Sequence, residues 1–294
     1  MNKYVIYTSL VGSYDIIHQP LVVDERFDYI LFTDNVTTDR IGVWQVRSIP
    51  FGGGNGMLKS RYVKCFPTKV LVDYEASLYL DANIQIITSN VYGRFFDFLE
   101  RGLEWGGIQH PFQKCVYDEI CAIVDLKWVH DFDVVNWYRA MKKDGFPEAW
   151  GLYENNVIFR RHTSKVDAIG VFWWKTLIGG CKRDQFSLMY ALWKHQPSMG
   201  DFLPKGEFPR LNSLDFKCYE HNPHSRVLKL GFHEVIRRSC LRSSNTDIRT
   251  GYHELFNRLS KYENPKLMLY AWEIMAIIKY GPRTLIDAIK SRVI

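Results

Sequence analysis

Apolar and polar positions alternate between two periods along the first two-thirds of the chain. Short β-branched and aromatic runs at Tyr4 to Leu10, Tyr29 to Thr33, Val43 to Ile49, Leu78 to Leu80, Ile84 to Ile87, Gly107 to Gln109 and Val157 to Phe159 read as strands. Longer stretches at Leu58 to Phe66, Val91 to Arg101, Val116 to Trp128, Phe132 to Lys143, Val166 to Leu177 and Gln185 to Lys194 read as helices. Strands separated by helices predict an α/β domain with a mainly parallel sheet flanked by helices, because parallel strands need crossover connections. Ligands in such sheets bind beyond the carboxyl ends of the strands, so the residues that follow each strand are the place to look for chemistry.

The pattern changes twice towards the C-terminus. Gly200 to Ser225 is rich in Pro, Gly, Asn and His and reads as a long loop. After Asn245 only helical periodicity remains: Ile248, Tyr252, Leu255, Phe256, Leu259 and Tyr262 make one apolar stripe, and Asn264-Pro265 and Gly281-Pro282 punctuate two further helices. The expected organisation is a domain over 1–245 and a basic amphipathic helical appendage over 246–294.

Composition narrows the class. Of 294 residues 47% are hydrophobic, which excludes a disordered chain, and the 15% aromatic share suits both a core and stacking platforms for sugars or bases. The net charge of +6 is confined to one region: from Arg237 onwards eleven Lys and Arg face five Asp and Glu, so residues 1–236 are formally neutral. A basic tail suits an anionic partner, and without a nucleic-acid-binding motif the expected one is an anionic membrane surface, with packing on the preceding domain or on a second subunit as the alternative. The most apolar tail segment, Leu267 to Ile278, is twelve residues long and too short to span a bilayer. Six scattered cysteines without C-x-x-C or zinc spacing, and no secretory leader pattern, predict reduced thiols in a cytoplasmic protein, peripheral at the inner face of the membrane if the tail binds lipid.

Three strand ends offer candidate ligand groups. Ser9 to Asp15 places Gly12, whose backbone can approach a ligand closely, before Tyr14, which can stack on a base; an ordinary turn is the alternative. Asp34 follows the second strand, where a ribose or base would sit, or where an Asx turn would form. The strongest signal is Ser77 to Ile86, in which an apolar strand delivers Asp81, and Asn83 follows two residues on before another apolar run. Extended backbone would point Asp81 and Asn83 to the same side, and a hard cation, Mn²⁺ or Mg²⁺, could bridge them to a diphosphate. A polar turn between strands is again the alternative.

Asp81-Ala82-Asn83 resembles the D-x-D element of nucleotide-sugar-dependent glycosyltransferases of the GT-A fold. More specifically, four segments in order resemble the domain-of-unknown-function 616 family, a glycosyltransferase-like group. They are Tyr79 to Gln85; Ile108 to Phe112 with Val116 to Glu119; Gly151 to His162; and Lys182 to Ser187. The resemblance spans about residues 3 to 225 and leaves out the tail.

The resemblance implies a GT-A-like domain that moves a sugar from a nucleotide-sugar donor to a saccharide or lipid-linked saccharide acceptor, in surface polysaccharide synthesis. Asp81 and Asn83 would bind metal and diphosphate, with His221 from the late loop closing the metal site. Arg61 and Lys64, three apart on one helix face, form the better phosphate pair, whereas Lys59 does not share a face with Arg61; a solvated basic face is the alternative. Asp184 and Gln185, opening a helix, would contact donor sugar and acceptor, although Asp also suits a helix N-cap. Glu154, Asn155 and Asn156 offer hydrogen-bonding groups for sugar hydroxyls, and His110 could face the acceptor. Two other readings remain open from sequence: a non-catalytic carbohydrate-binding protein and a metal-dependent phosphoester hydrolase.

Overall fold

The computed structural model of the chain describes residues 2–12, 15–125, 131–148, 150–179 and 184–221. In chain order the elements are β1 (Tyr4–Leu10), β2 (Phe27–Thr33), β3 (Arg40–Ile41), β4 (Trp44–Ser48), α1 (Gly56–Cys65), α2 (Pro67–Val70), β5 (Ala76–Leu80), β6 (Ile84–Ile86), α3 (Asn90–Glu100), β7 (Trp105–Gln109), α4 (Val116–Asp125), α5 (Asp131–Lys143), β8 (Tyr153–Arg161), α6 (Ser164–Ile178), α7 (Asp184–His195), β9 (Met199–Asp201) and β10 (Phe216–Cys218). They fall into two units: Met1–Phe112, Gly151–Gly179 and Ser187–Val227 form the first, and Gln113–Trp150, Gly180–Phe186 and Leu228–Ile294 the second. The expected boundary near Asn245 and the helical appendage lie outside the described residues.

The first unit is built on an eight-stranded sheet in the order β3-β4-β2-β1-β5-β8-β7-β9. β4, β2, β1 and β5 run parallel, but β8 lies antiparallel between β5 and β7, β3 is antiparallel to β4, and β9 is parallel to β7. The sheet is therefore mixed: β4, β2, β1, β5, β7 and β9 share one direction, and β3 and β8 run against them. The pattern of strands and helices fixes neither the direction of β8 nor the position it takes in the sheet. A separate two-stranded antiparallel sheet joins β10 to β6.

Alternation along the strands gives the sheet two unlike faces. One is apolar: Ile6, Leu78, Leu80, Val157 and Phe159 join Val91, Tyr92, Phe95 and Phe98, the buried stripe of α3. Burial of a side chain such as Phe95 contributes about 1.5–3 kcal/mol. The other face, under α1 and α6, carries Tyr7, Tyr79 and Arg160, all fully buried. Arg160 Nη1 donates to the Lys64 carbonyl at the end of α1 and Nη2 bonds the Tyr7 hydroxyl, while its guanidinium lies 5.4 Å from the Trp105 ring. Asn55 caps α1 by accepting from Leu58 N, and Thr163 caps α6 by accepting from Val166 N. Gly170 lets α6 lie against the last turn of α1, since a methyl there would collide with the Cys65 carbonyl oxygen.

In the second unit, Tyr117 of α4 meets Tyr138 of α5 at 5.2 Å and donates to the Phe146 carbonyl. Among the described residues, no helix is long and apolar enough to cross a membrane.

Candidate active site

The order of the strands marks a place for a ligand. From β1 the chain moves to β2 and β4 on one side, then returns to β5 on the other side of β1. The carboxyl ends of β1 and β5 thus flank a switch point, where crevices form in open α/β sheets. Ser9, Gly12 and Asp81 all lie at these ends.

Beyond β1, Gly12 takes φ +62, and its N–H donates to Asp34 Oδ1 at 3.0 Å. Lys59 Nζ lies 3.4 Å from Asp34 Oδ2. The Gly12 N–H, with a smaller contribution from Lys59, holds the Asp34 carboxyl below its ordinary range. Gly12 and Asp34 are brought together as the strand ends suggest. Lys59, set aside on helix spacing, joins them because it reaches across to β2 and needs no partner on its own helix. Tyr14 lies outside the described residues.

Beyond β5, Asp81 Oδ1 receives two donors: the Tyr79 hydroxyl at 2.9 Å and Lys64 Nζ at 3.0 Å. Lys64 also lies 4.7 Å from the centre of the Tyr79 ring. Ser9 Oγ links Ser60 Oγ at 2.8 Å to the Tyr79 hydroxyl at 3.4 Å, so a run of hydroxyls leads from α1 to Asp81. Burial, and then the charge of Asp81, raise the Tyr79 phenol well above its usual value and keep it a donor. Lys64 is not the solvent-facing phosphate ligand expected of it: its side chain is 1% exposed against 33% for Asp81. Arg61, three residues earlier, is partly exposed and bears electrostatically on Tyr79.

Asn83 follows Asp81 through a turn and not along a strand. Residues 81–83 form a turn closed by Ile84 N donating to the Asp81 carbonyl at 2.9 Å, so strand alternation does not apply there. Asn83 Nδ2 donates to the Tyr219 carbonyl at 2.7 Å and Tyr219 N returns a bond to the Asn83 carbonyl, which fastens the chain after β10 to β6. His221 has Nδ1 hydrogen-bonded to Asp15 Oδ1 at 2.8 Å. Among the described residues, no group of three or more His, Cys, Asp and Glu is placed to hold a metal ion. The side chains present do not fit the Mn²⁺ or Mg²⁺ site that the resemblance implies, because Asp81 already carries an ammonium partner and the described residues gather no set of three His, Cys, Asp or Glu around it.

The neighbouring strand supplies a second polar group. Asp81 N donates to the Asn156 carbonyl at 2.8 Å, which sets Asp81 beside Asn156 across β5 and β8. Asn156 Nδ2 donates to Glu154 Oε2 at 2.9 Å, and Arg210 from the loop after β9 pairs with Glu154 Oε1. Burial raises the Glu154 carboxyl; Arg210 and Asn156 oppose this, and the charge of Asp81 adds to it. Between Gly106↔Phe159 and Ile108↔Glu154 the β7–β8 register shifts, so β8 bulges where Asn155 sits. Asn155 is 7% exposed, and neither atom of its amide finds a hydrogen-bond partner among the described residues. The Glu154 to Asn156 segment is thus part of β8, and not the polar turn its composition also suits.

His110 follows β7 and extends the ladder, donating from N to the Leu152 carbonyl at 2.9 Å, while Nδ1 accepts from Phe112 N. Asp184 and Gln185 are buried in the first turn of α7, where a carboxylate complements the helix dipole. Sequence reasoning missed Tyr79, Ser60 and Arg210. Alternation on β5 is a usable signal for Tyr79, two residues before Asp81. Nothing in the composition of the loop distinguishes Arg210. The sequence matches no family model and no curated protein.

Proposed function

We propose that the chain is a nucleotide-sugar-dependent glycosyltransferase of GT-A type, with its donor site at the carboxyl ends of β1 and β5. The observation that carries the reading is Asp81 at the switch point, fixed on Oδ1 by Lys64 and Tyr79 and open to solvent on its other side. The four ordered segments that resemble the glycosyltransferase-like family support it, since three of them contribute Asp81, His110 and Glu154 to Asn156 in the first unit.

In this reading Gly12, Asp34 and Lys59 receive the nucleoside, and Lys59 and Arg61 attract the diphosphate. Glu154 and Asn156 bind sugar hydroxyls. Transfer breaks the bond between the anomeric carbon and the β-phosphate oxygen, whose electron pair stays on the diphosphate. The acceptor oxygen bonds the same carbon, and its proton passes to the departing diphosphate. Preorganised positive charge beside the departing oxygen is the largest lever a protein has on such a step. A saccharide or lipid-linked saccharide of a surface polysaccharide is the proposed acceptor, met at the inner face of a membrane through the basic tail.

The test is incubation of the intact chain with a panel of nucleotide sugars and oligosaccharide acceptors, read by mass spectrometry. A product heavier by one sugar, with release of the nucleoside diphosphate, is expected. Saccharide binding without consumption of any nucleotide sugar would establish the non-catalytic reading in its place, and phosphate release without an acceptor would establish the hydrolase.

A further inference from the structure

We infer that the site binds its nucleoside diphosphate without a divalent cation, the Lys64 ammonium supplying the countercharge that Asp81 would otherwise take from a metal. The inference rests on the nucleotide-sugar reading above. A carboxylate at a strand end beside a diphosphate repels it unless something offsets the charge. In this chain that something is built into the fold. Lys64 Nζ stands 3.0 Å from Asp81 Oδ1 with 1% of its side chain exposed, and its carbonyl is held by the fully buried Arg160.

The same geometry works against a cation. An ion on Asp81 would sit next to a fixed ammonium of like sign. Among the described residues, no group of three or more His, Cys, Asp and Glu stands ready to surround it. Asp81 Oδ2, by contrast, has no side-chain partner among the described residues, and the group is one-third exposed. That oxygen accepts a hydroxyl hydrogen bond from a ribose or sugar, a contact for which a cation is unnecessary. Lys59 and Arg61, half-buried on α1, add positive charge for the phosphates.

Calorimetric titration with uridine, guanosine, cytidine and adenosine diphosphates, in EDTA and again in Mn²⁺, tests this. One nucleotide binding with affinities within about threefold of each other in the two buffers is expected. Binding in Mn²⁺ alone would overturn the inference and leave the nucleotide reading standing. Binding of none in either buffer would overturn both. Lys64→Met, checked for folding by circular dichroism, should weaken binding in EDTA by about tenfold or more, with Mn²⁺ restoring part of the loss. A folded Lys64→Met that binds as tightly as the parent in EDTA would remove Lys64 from the account. If that variant does not fold, the two-buffer titration of the parent decides alone.

Discussion

Lys64 Nζ lies 3.0 Å from Asp81 Oδ1, and the two partners are unequally desolvated: the lysine side chain is 1% exposed and the aspartate 33%. The asymmetry predicts unequal costs for breaking the pair. Asp81→Asn takes a charged partner from a buried ammonium and should destabilise the chain by about 3 kcal/mol. Lys64→Met leaves a carboxylate that water can reach, and should cost about 1 kcal/mol. Urea unfolding of both single variants and the double variant checks this, and equal single costs would contradict it.

Gly12 is held at φ +62 with open space where a side chain would stand. Gly12→Ala should therefore meet only backbone strain, about 1–2 kcal/mol. Because the Gly12 N–H is the leading cause of the lowered Asp34 pKa, that carboxyl should move back towards its ordinary value. An NMR titration of the Asp34 carboxyl reads the shift directly; an unmoved Asp34 would show that the amide stays in place without the glycine.

At Gly170 two effects compete. Alanine gains about 1 kcal/mol over glycine in a helix interior. A methyl at this position collides with the backbone carbonyl of Cys65, and overpacking costs about 1–3 kcal/mol. The collision should win, because its partner is backbone and cannot swing away. Gly170→Ala should lower the melting temperature, and an unchanged or raised value would mean that α1 and α6 separate without penalty.

His162 gives a pH dependence. Its Nε2 is 2.9 Å from Ser77 Oγ, and burial, then the nearby Arg160 charge, push its pKa down to about 4 from 6.5. In the window between those values the unfolded chain binds the proton and the folded chain does not, so stability is lost as pH falls from about 6.5 to about 4, by roughly 3 kcal/mol in all. His162→Gln should flatten that part of the profile relative to the parent, measured by urea midpoints at several pH values. Parallel profiles would show that His162 titrates normally.

Much of the framework was legible because it follows local periodicity. β1 occupies Tyr4–Leu10 as the apolar run predicts, and α1, α3 and α6 match their periodic stretches to within two residues at most boundaries. β9 and β10 were hidden in the stretch that reads as a loop, since three residues carry no period and their pairing with β7 and β6 is set by distant partners. β8 reads as Val157 to Phe159 but runs Tyr153–Arg161, because its polar half is buried by tertiary neighbours that propensity does not see. At the site, strand ends located Asp34, Asp81 and Gly12. Helix spacing put Arg61 and Lys64 on one face, yet it says nothing about which residue of that face lies against a sheet. The sense of Lys64 as a buried partner was available only from the packing of α1 on β1 and β5. The extended-chain argument for Asn83 failed because the backbone turns between β5 and β6.

The most direct test of the donor site at Asp81 is the rate of nucleoside diphosphate release from nucleotide sugars by the parent chain and by folded Asp81→Asn. The account predicts that the parent consumes one nucleotide sugar and that the variant loses about 100-fold or more in kcat/KM. Equal turnover by the two proteins would contradict it.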